Sequence, residues 1–456
     1  MAIFKFRGGF VPPETKHTAG IPIKEVWPKA GDEMVYPMLQ HLGAPCTPLV
    51  QKGDRVLLGQ RIGEPGGFLS APIFASVSGT VKAVEPRLIP GGTRPNAVII
   101  EADGGEGLDS QETHPDILGK GVENFQDLSR DEVLERIKNA GIVGQGGAGF
   151  PAHIKLNPPP DKTVDTLIVN GSECEFYVTS DHRIMLEEAD VLLRGMKIFG
   201  MIHPKAALII AIEQDKPDAI ALIQQKISED AELSKKAARV VTLPSRYAIG
   251  SEKQLIKACT GREVRSGQLP ADAGCIVHNV DTIIGIERAV VRGRPIMRRV
   301  LTLAGGAVAN PGNYKVRLGM SFQQVIDATG GFKEEPTKII AGGAMMGTAV
   351  YTTELPIVKT TSGITCLTAA EAPVPKEDPC IRCARCVNTC PIGLMPLVLN
   401  AHAIKNNEDA FVENNGMDCI ECGSCSYVCP AKRHLVQSIR FQKRQILGKR
   451  QAAAKK

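Results

Sequence analysis

The sequence has 456 residues, 43% hydrophobic and 23% charged, with 46 Gly, 31 Pro, 13 Cys, 13 Phe, 6 Tyr and a single Trp; this balance excludes a small module, a disordered chain and a collagen-like one, and requires several compact domains. The formal charge of +5 is uneven, because Ala431 to Lys456 holds nine Lys/Arg and no acid, so the rest of the chain is net −4. That basic stretch has one aromatic, Phe441, so a stacking surface for nucleic acid is not expected.

No run approaches the roughly 18 apolar residues that span a bilayer, and Met1 to Phe10 lacks the apolar stretch of an export signal. A non-exported chain keeps its thiols reduced, so the cysteines are expected as metal ligands or small buried hydrophobes rather than disulfide halves.

From Phe4 to about Asp103, short Val/Ile runs broken by Gly and Pro predict an all-β module, followed over 104–128 by a linker rich in breakers. Ser129 and Glu132 form a capping box ahead of Val133, Leu134 and Ile137, opening a helix. Strands over 166–170, 206–213 and 240–243 then alternate with helices over 184–199 and 217–227, an α/β pattern running to about Arg294. Residues 298–348 read as strands with an Asn310-Pro311-Gly312 turn and a helix capped by Ser321, a small β-grasp-like unit. Pro-rich residues 371–379 read as linker.

The run Cys380-x2-Cys383-x2-Cys386-x3-Cys390-Pro391 recurs 39 residues later as Cys419-x2-Cys422-x2-Cys425-x3-Cys429-Pro430. In the two-cluster ferredoxin arrangement the fourth cysteine of each run serves the other cluster. Cys380, Cys383, Cys386 and Cys429 are therefore expected to hold one 4Fe-4S cluster, and Cys419, Cys422, Cys425 and Cys390 the other. Structural zinc, the alternative, has no use for a third x2 cysteine followed by x3-Cys-Pro. Cys46, Cys174, Cys259, Cys275 and Cys366 have no ligand-like spacing.

Gly144-Gln145-Gly146-Gly147-Ala148-Gly149-Phe150-Pro151 contains G-x-G-x-x-G but follows a helix rather than a strand, so it fails the Rossmann context. With Lys155 in reach, its amides suit a single phosphate such as that of FMN. Asn170-Gly171-Ser172-Glu173-Cys174-Glu175 follows the strand at 166–170, at the edge where α/β sheets bind ligands, and carries two acids.

With Gly250-Ser251-Glu252, Asn279-Val280-Asp281-Thr282 and the double cysteine run also in order, the chain resembles, essentially end to end, the RnfC family, the C subunits of the Rnf electron-transport complexes. Its middle part is also similar to the flavin-bearing peripheral subunit of respiratory complex I, through GxGGAGFPxxxK at 144–155. The resemblance implies FMN held by Gly144, Gly146, Gly147, Lys155, Asn170, Glu173, Gly250, Glu252 and Asn279, with Phe150 and Glu175 facing the nicotinamide nucleotide and Glu173 or Glu175 orienting the reacting rings. Phe176 stands where the family usually has proline, and Ala248-Ile249 where it has Pro-Gln.

The expected architecture is multidomain α/β and α+β. It comprises a barrel-sandwich hybrid with linker over 1–128, a complex-I-type FMN/NADH domain over 129–296, a soluble-ligand-binding β-grasp module over 297–360, a linker over 361–379, a dicluster ferredoxin-like domain over 380–440 and a basic tail over 441–456. Gly63 to Ala71 offers no carrier lysine, so the barrel module is expected to dock rather than swing. The implied function is electron transfer between ferredoxin and NAD(H) coupled to ion translocation by other, membrane-spanning subunits, with ferredoxin an indirect partner and this chain peripheral on the cytoplasmic face. In the tail, Leu435, Val436, Ile439, Ile446 and Leu447 are expected as an apolar stripe for an acidic partner or anionic headgroups. The rivals are a soluble flavin/iron–sulfur reductase of the cobalamin-reductase type, against which the long N-terminal module argues, a zinc-stabilised scaffold, and a flavin-free ferredoxin-like carrier.

Overall fold

The computed structural model describes residues 7–104, 121–122 and 124–454; Met1 to Phe6 and most of the expected 104–128 linker lie outside them. The first strand, β1 (Ile23–Glu25), leaves the N-terminal module to pair in parallel with a strand far along the chain. The module itself is two antiparallel sheets. One has the order β2-β8-β7-β4, from β2 (Glu33–Pro37), β4 (Arg55–Val56), β7 (Gly79–Pro86) and β8 (Asn96–Ala102). The other has the order β3-β5-β6, from β3 (Thr47–Pro48), β5 (Arg61–Glu64) and β6 (Ile73–Phe74). Strand β8 is buried along most of its length because its Ala97-Val98-Ile99-Ile100 run packs on both faces.

The capping box opens α1 (Arg130–Asn139): Ser129 N–H donates to Glu132 and the Ser129 hydroxyl accepts from Glu132 N–H. After the short helix α2 (Ala152–Lys155) comes β9 (Thr166–Gly171). The single helix expected over 184–199 is two, α3 (Ser180–Glu187) and α4 (Ala189–Ile202). The backbone leaves helical geometry at Glu188, whose carboxylate pairs with Arg288 and Arg298 of later elements. Next come β10 (Ala207–Glu213), α5 (Pro217–Glu229), α6 (Ala231–Lys235), β11 (Arg239–Leu243), α7 (Glu252–Thr260), β12 (Cys275–Asn279) and α8 (Val280–Arg292). The four strands form a parallel sheet ordered β11-β10-β9-β12, which sets Asn170 beside Asn279 at its C-terminal edge.

The β-grasp unit contains β13 (Arg298–Ala304), β14 (Gly312–Arg317), α9 (Phe322–Ala328), β15 (Lys338–Ala341), β16 (Thr348–Val350) and β17 (Gly363–Leu367). Its six-stranded sheet runs β1-β14-β13-β17-β15-β16. Two expected boundaries are thereby corrected. Residues 363–367, given to a linker over 361–379, form a wholly buried central strand, since Ile364, Cys366 and Leu367 fill the core. Residues 23–25, given to the barrel module, extend this sheet instead.

The C-terminal unit is helical: α10 (Arg385–Thr389), α11 (Pro396–Ile404), α12 (Glu408–Glu413), α13 (Ser424–Tyr427) and α14 (Leu435–Ala454). The basic tail over 441–456 is not separate, because α14 runs through the 440/441 boundary. Ile439 and Ile446 pack with Leu399, Ala403 and Phe411, while Leu435 and Val436 pack beside Cys425. Four of the five residues of the expected external stripe are thus spent on the domain's own core; Leu447 remains exposed, as does Phe441.

Candidate redox site

The glycine-rich loop closes on itself, Gly144 N–H donating to Phe150 O at 2.9 Å. A Cβ on Gly146 would stand 2.9 Å from Asn279, and one on Gly149, whose φ is +72°, 2.9 Å from Thr360 and 3.1 Å from the His41 backbone. The loop is wedged between the flavin-type sheet, the barrel module and the β-grasp unit. Gly147 faces open space.

From behind, Gln145 anchors the loop. Its N–H donates to Thr282 Oγ1 and its Nε2 to Asp281 O, each at 2.9 Å. Arg299 of β13, 2% exposed, donates to Gln145 Oε1, to Asp281 Oδ2 at 2.5 Å and to Thr361 O at 3.0 Å. Sequence reasoning missed Arg299, because nothing local marks one arginine of an Arg298-Arg299 pair as buried.

The other implied flavin residues join this loop in a connected ring. Asn279 caps α8, accepting from Asp281 N–H at 2.9 Å and donating to Asp181 Oδ2 at 2.5 Å. Asn170, beside it, donates to Gly250 O at 2.8 Å. A Cβ on Gly250 would meet Ser172 at 3.0 Å and Cys174 at 3.2 Å. Glu252, the first residue of α7, pairs with Lys155 at the end of α2. The Ser251 hydroxyl at the start of α7 is buried without a hydrogen-bond partner among the described residues. A free backbone cradle at Gly147, a cation, a helix N-terminus and an orphaned hydroxyl together suit a phosphate-bearing flavin. Burial, with Glu173 and Asp281 nearby, pushes the Asp181 carboxyl up to about 8.

The structure separates the two acids. Glu173, at φ +48°, turns its carboxylate onto the first turn of α3, accepting from Asp181 N–H at 2.6 Å and His182 N–H at 3.2 Å, and Lys16 stands 3.9 Å away. Glu175 accepts from Met345 and Met346 N–H, each at 3.1 Å, and lies 3.0 Å from the Tyr247 hydroxyl. Burial pushes the Glu175 carboxyl upward. Phe150 is half-buried at the end of the loop.

Tyr247 carries the site onward, its hydroxyl also lying 2.8 Å from Cys422 O. Around it, Phe10 stacks on Tyr427 at 4.6 Å, and Phe176 stands 5.6 Å from both Tyr247 and Tyr427. Phe176, the departure from the family's usual proline, is thus a wall of the contact between the flavin-type sheet and the second cysteine run. The aromatic cluster is drawn from four distant positions, so no sequence window contains it.

Cys380, Cys383, Cys386 and Cys429 line one cavity of about 370 Å³. Cys390, Cys419, Cys422 and Cys425 line a second, tighter one. The two runs repeat their backbone as well as their cysteines: Arg382 and Ala384 have φ of +55° and +60°, and Glu421 and Gly423, 39 residues on, have +58° and +78°. These left-handed turns aim Arg382 N–H at Cys380 Sγ and Glu421 N–H at Cys419 Sγ, each at 3.4 Å. Each set of four thiols thus lines one cavity, the grouping expected of two clusters that exchange their fourth cysteine.

Four family descriptions match in chain order: "RnfC Barrel sandwich hybrid domain" over 4–105, "Nuo51 FMN-binding domain" over 137–288, "SLBB domain" over 300–349 and "4Fe-4S dicluster domain" over 379–433. With the ring and the paired cysteine cavities, they define an electron-transfer flavoprotein with two iron–sulfur clusters. Similar proteins agree. The C subunit of the Na(+)-translocating ferredoxin:NAD(+) oxidoreductase complex of Acetobacterium woodii is 46% identical over 98% of both chains. The C subunit of the proton-translocating counterpart in Clostridium ljungdahlii is 45% identical over 96% of this chain and 93% of that one. The C subunit of the ion-translocating oxidoreductase complex of Pseudomonas aeruginosa is 38% identical over 100% of this chain and 57% of its own. The chain belongs to the RnfC family, the C subunits of the Rnf ion-translocating ferredoxin:NAD oxidoreductase complexes.

Proposed function

We propose that this protein passes electrons between ferredoxin, reached through other subunits, and NAD(H), in the order nicotinamide, FMN, the cluster of Cys390, Cys419, Cys422 and Cys425, then the cluster of Cys380, Cys383, Cys386 and Cys429. The observation that carries this order is Tyr247, which lies within hydrogen-bond distance of Glu175 in the flavin domain and of the Cys422 carbonyl. Cys380 and Cys383 of the other set are exposed, which suits the end that meets a partner.

In this reading Gly144, Gly146, Gly147, Lys155, Asn170, Gly250, Glu252 and Asn279 hold FMN, with Phe150 beside the nicotinamide site. Bound FMN supplies the exchange between two-electron nicotinamide and one-electron clusters. The protein's part is positioning: Lys155 offsets phosphate charge, Gln145 and Arg299 fix the loop, Glu173 holds α3 against the flavin pocket, and Glu175 sets the edge facing the clusters. Among the described residues no helix is long and apolar enough to cross a membrane. The chain sits on membrane-spanning subunits at the cytoplasmic face, and ion movement takes place in those subunits.

The test is the visible spectrum of anaerobically purified protein before and after NADH. Bleaching of both flavin and cluster bands is expected. Colour that NADH leaves untouched would remove the nicotinamide site, and a colourless intact preparation would restore the zinc scaffold.

A further inference from the structure

Beside Gln145 and Asp281, a cavity of about 240 Å³ lies between α8, the turn at 294–297 and the ends of β13 and β14. Arg288, Arg292, Arg294, Arg298 and Arg317 all line it, and the one carboxylate in its wall is Asp281, already bonded by Arg299. Some of this charge is answered from outside the cavity. Arg288 and Arg298 share Glu188, which Lys315 also approaches at 3.9 Å, and Arg292 lies 3.5 Å from Glu287, itself paired with Arg194.

Two arginines are not answered. Arg294 has no ion pair among the described residues. Arg317 is 3% exposed, its guanidinium lies 4.3 Å from the centre of the Trp27 ring, and its Nη2 is buried with no hydrogen-bond partner among the described residues. A buried guanidinium donor left without an acceptor is costly, and arginine forks match oxyanions in pairs.

We propose that this cavity binds a small oxyanion carrying more than one negative charge, held by Arg294 and Arg317. The volume is below the roughly 300–1,000 Å³ of pockets that hold drug-sized ligands, so it suits an anion of pyrophosphate or citrate size. Gln145 lines this cavity and also anchors the glycine-rich loop, so the occupant touches the back of the redox site without sharing its phosphate position.

The experiment is isothermal titration of the FMN- and cluster-loaded chain with pyrophosphate and, separately, with citrate, at near-physiological salt. Saturable binding of one anion per chain is expected, the tighter of the two naming the phosphate or carboxylate class. Arg317→Met and Arg294→Gln should each weaken it by about tenfold, as loss of one charge-assisted bond does. Arg294 is part-exposed, so its variant keeps the fold and the flavin, as an unchanged melting temperature and spectrum would verify. The proposal is overturned if neither anion saturates at millimolar concentration, or if Arg294→Gln, folded and loaded, binds as the parent does.

Discussion

Lys359 is wholly buried and has two acceptors, Pro72 O at 2.7 Å in the barrel module and Gly141 O at 2.8 Å in the flavin domain. A neutral amine has two N–H groups for two carbonyls; an ammonium would leave a third without a partner. Burial accordingly lowers the Lys359 pKa to about 7, with the Cys46 thiol opposing it and His41 nearby lowered to about 4. The folded pKa is below the unfolded value of about 10.4, so this group's stabilisation is complete above pH 10 and is lost as pH falls toward 7. Lys359→Met should flatten that stretch of the curve of melting temperature against pH. Arg299 makes the converse case, a charge paired in the interior: Arg299→Met should cost about 3 kcal/mol in denaturant unfolding by leaving Asp281 unpaired, and flavin fluorescence after desalting should fall with it. The sequence alone displays neither lysine nor arginine as special. The residues proposed to hold FMN are legible because the glycines and Asn170 lie in contiguous motifs, whereas Tyr247 and Lys359 take their roles from partners at least 70 residues away, and Arg299 takes its role from Gln145 as much as from the nearer Asp281.

Whole elements divide the same way. The capping box at Ser129, the alternation through the flavin sheet and the cysteine repeat are all readable, since each is a short-range pattern with its own period or spacing. Strand β1 is not: three residues, Ile23-Lys24-Glu25, cannot display an alternation. Nor is the fate of helix α14, whose stripe is visible in the sequence while the helix that covers it, α11, is separated from it by both α12 and α13. Ser129→Ala should cost about 1 kcal/mol of stability and leave the flavin in place, which thermal unfolding and absorbance together would check. Gly146→Ala should do the reverse. Its new methyl would meet Asn279 at 2.9 Å and displace the cap of α8, so flavin retention should fall on desalting by more than stability does.

Across the whole molecule, one continuous apolar core joins the barrel, flavin and β-grasp units, running from Tyr36 and Ile100 through Leu167 and Ile283 to Leu303 and Ile364. A module sealed in this way is a fixed brace, consistent with the missing carrier lysine. The segment ahead of the barrel binds the parts together: Gly9 N–H donates to Thr389 O at 2.8 Å, Phe10 pairs with Tyr247, Lys16 bonds Val178 O at 3.1 Å, and Ile23 to Glu25 complete the β-grasp sheet. Gly8 lies so close to the Cys390 carbonyl that a Cβ there would overlap it. This strap gives biogenesis a direction. Residues 8–10 leave the ribosome long before 389–390, and they can seat only once that later segment has been made and has folded, so strap docking is a late step. In protein made under iron starvation, amide exchange should be fast at residues 9–10 and across the cysteine runs and slow across β7 and β8, and loading with iron and sulfide should slow it at the strap and the runs together.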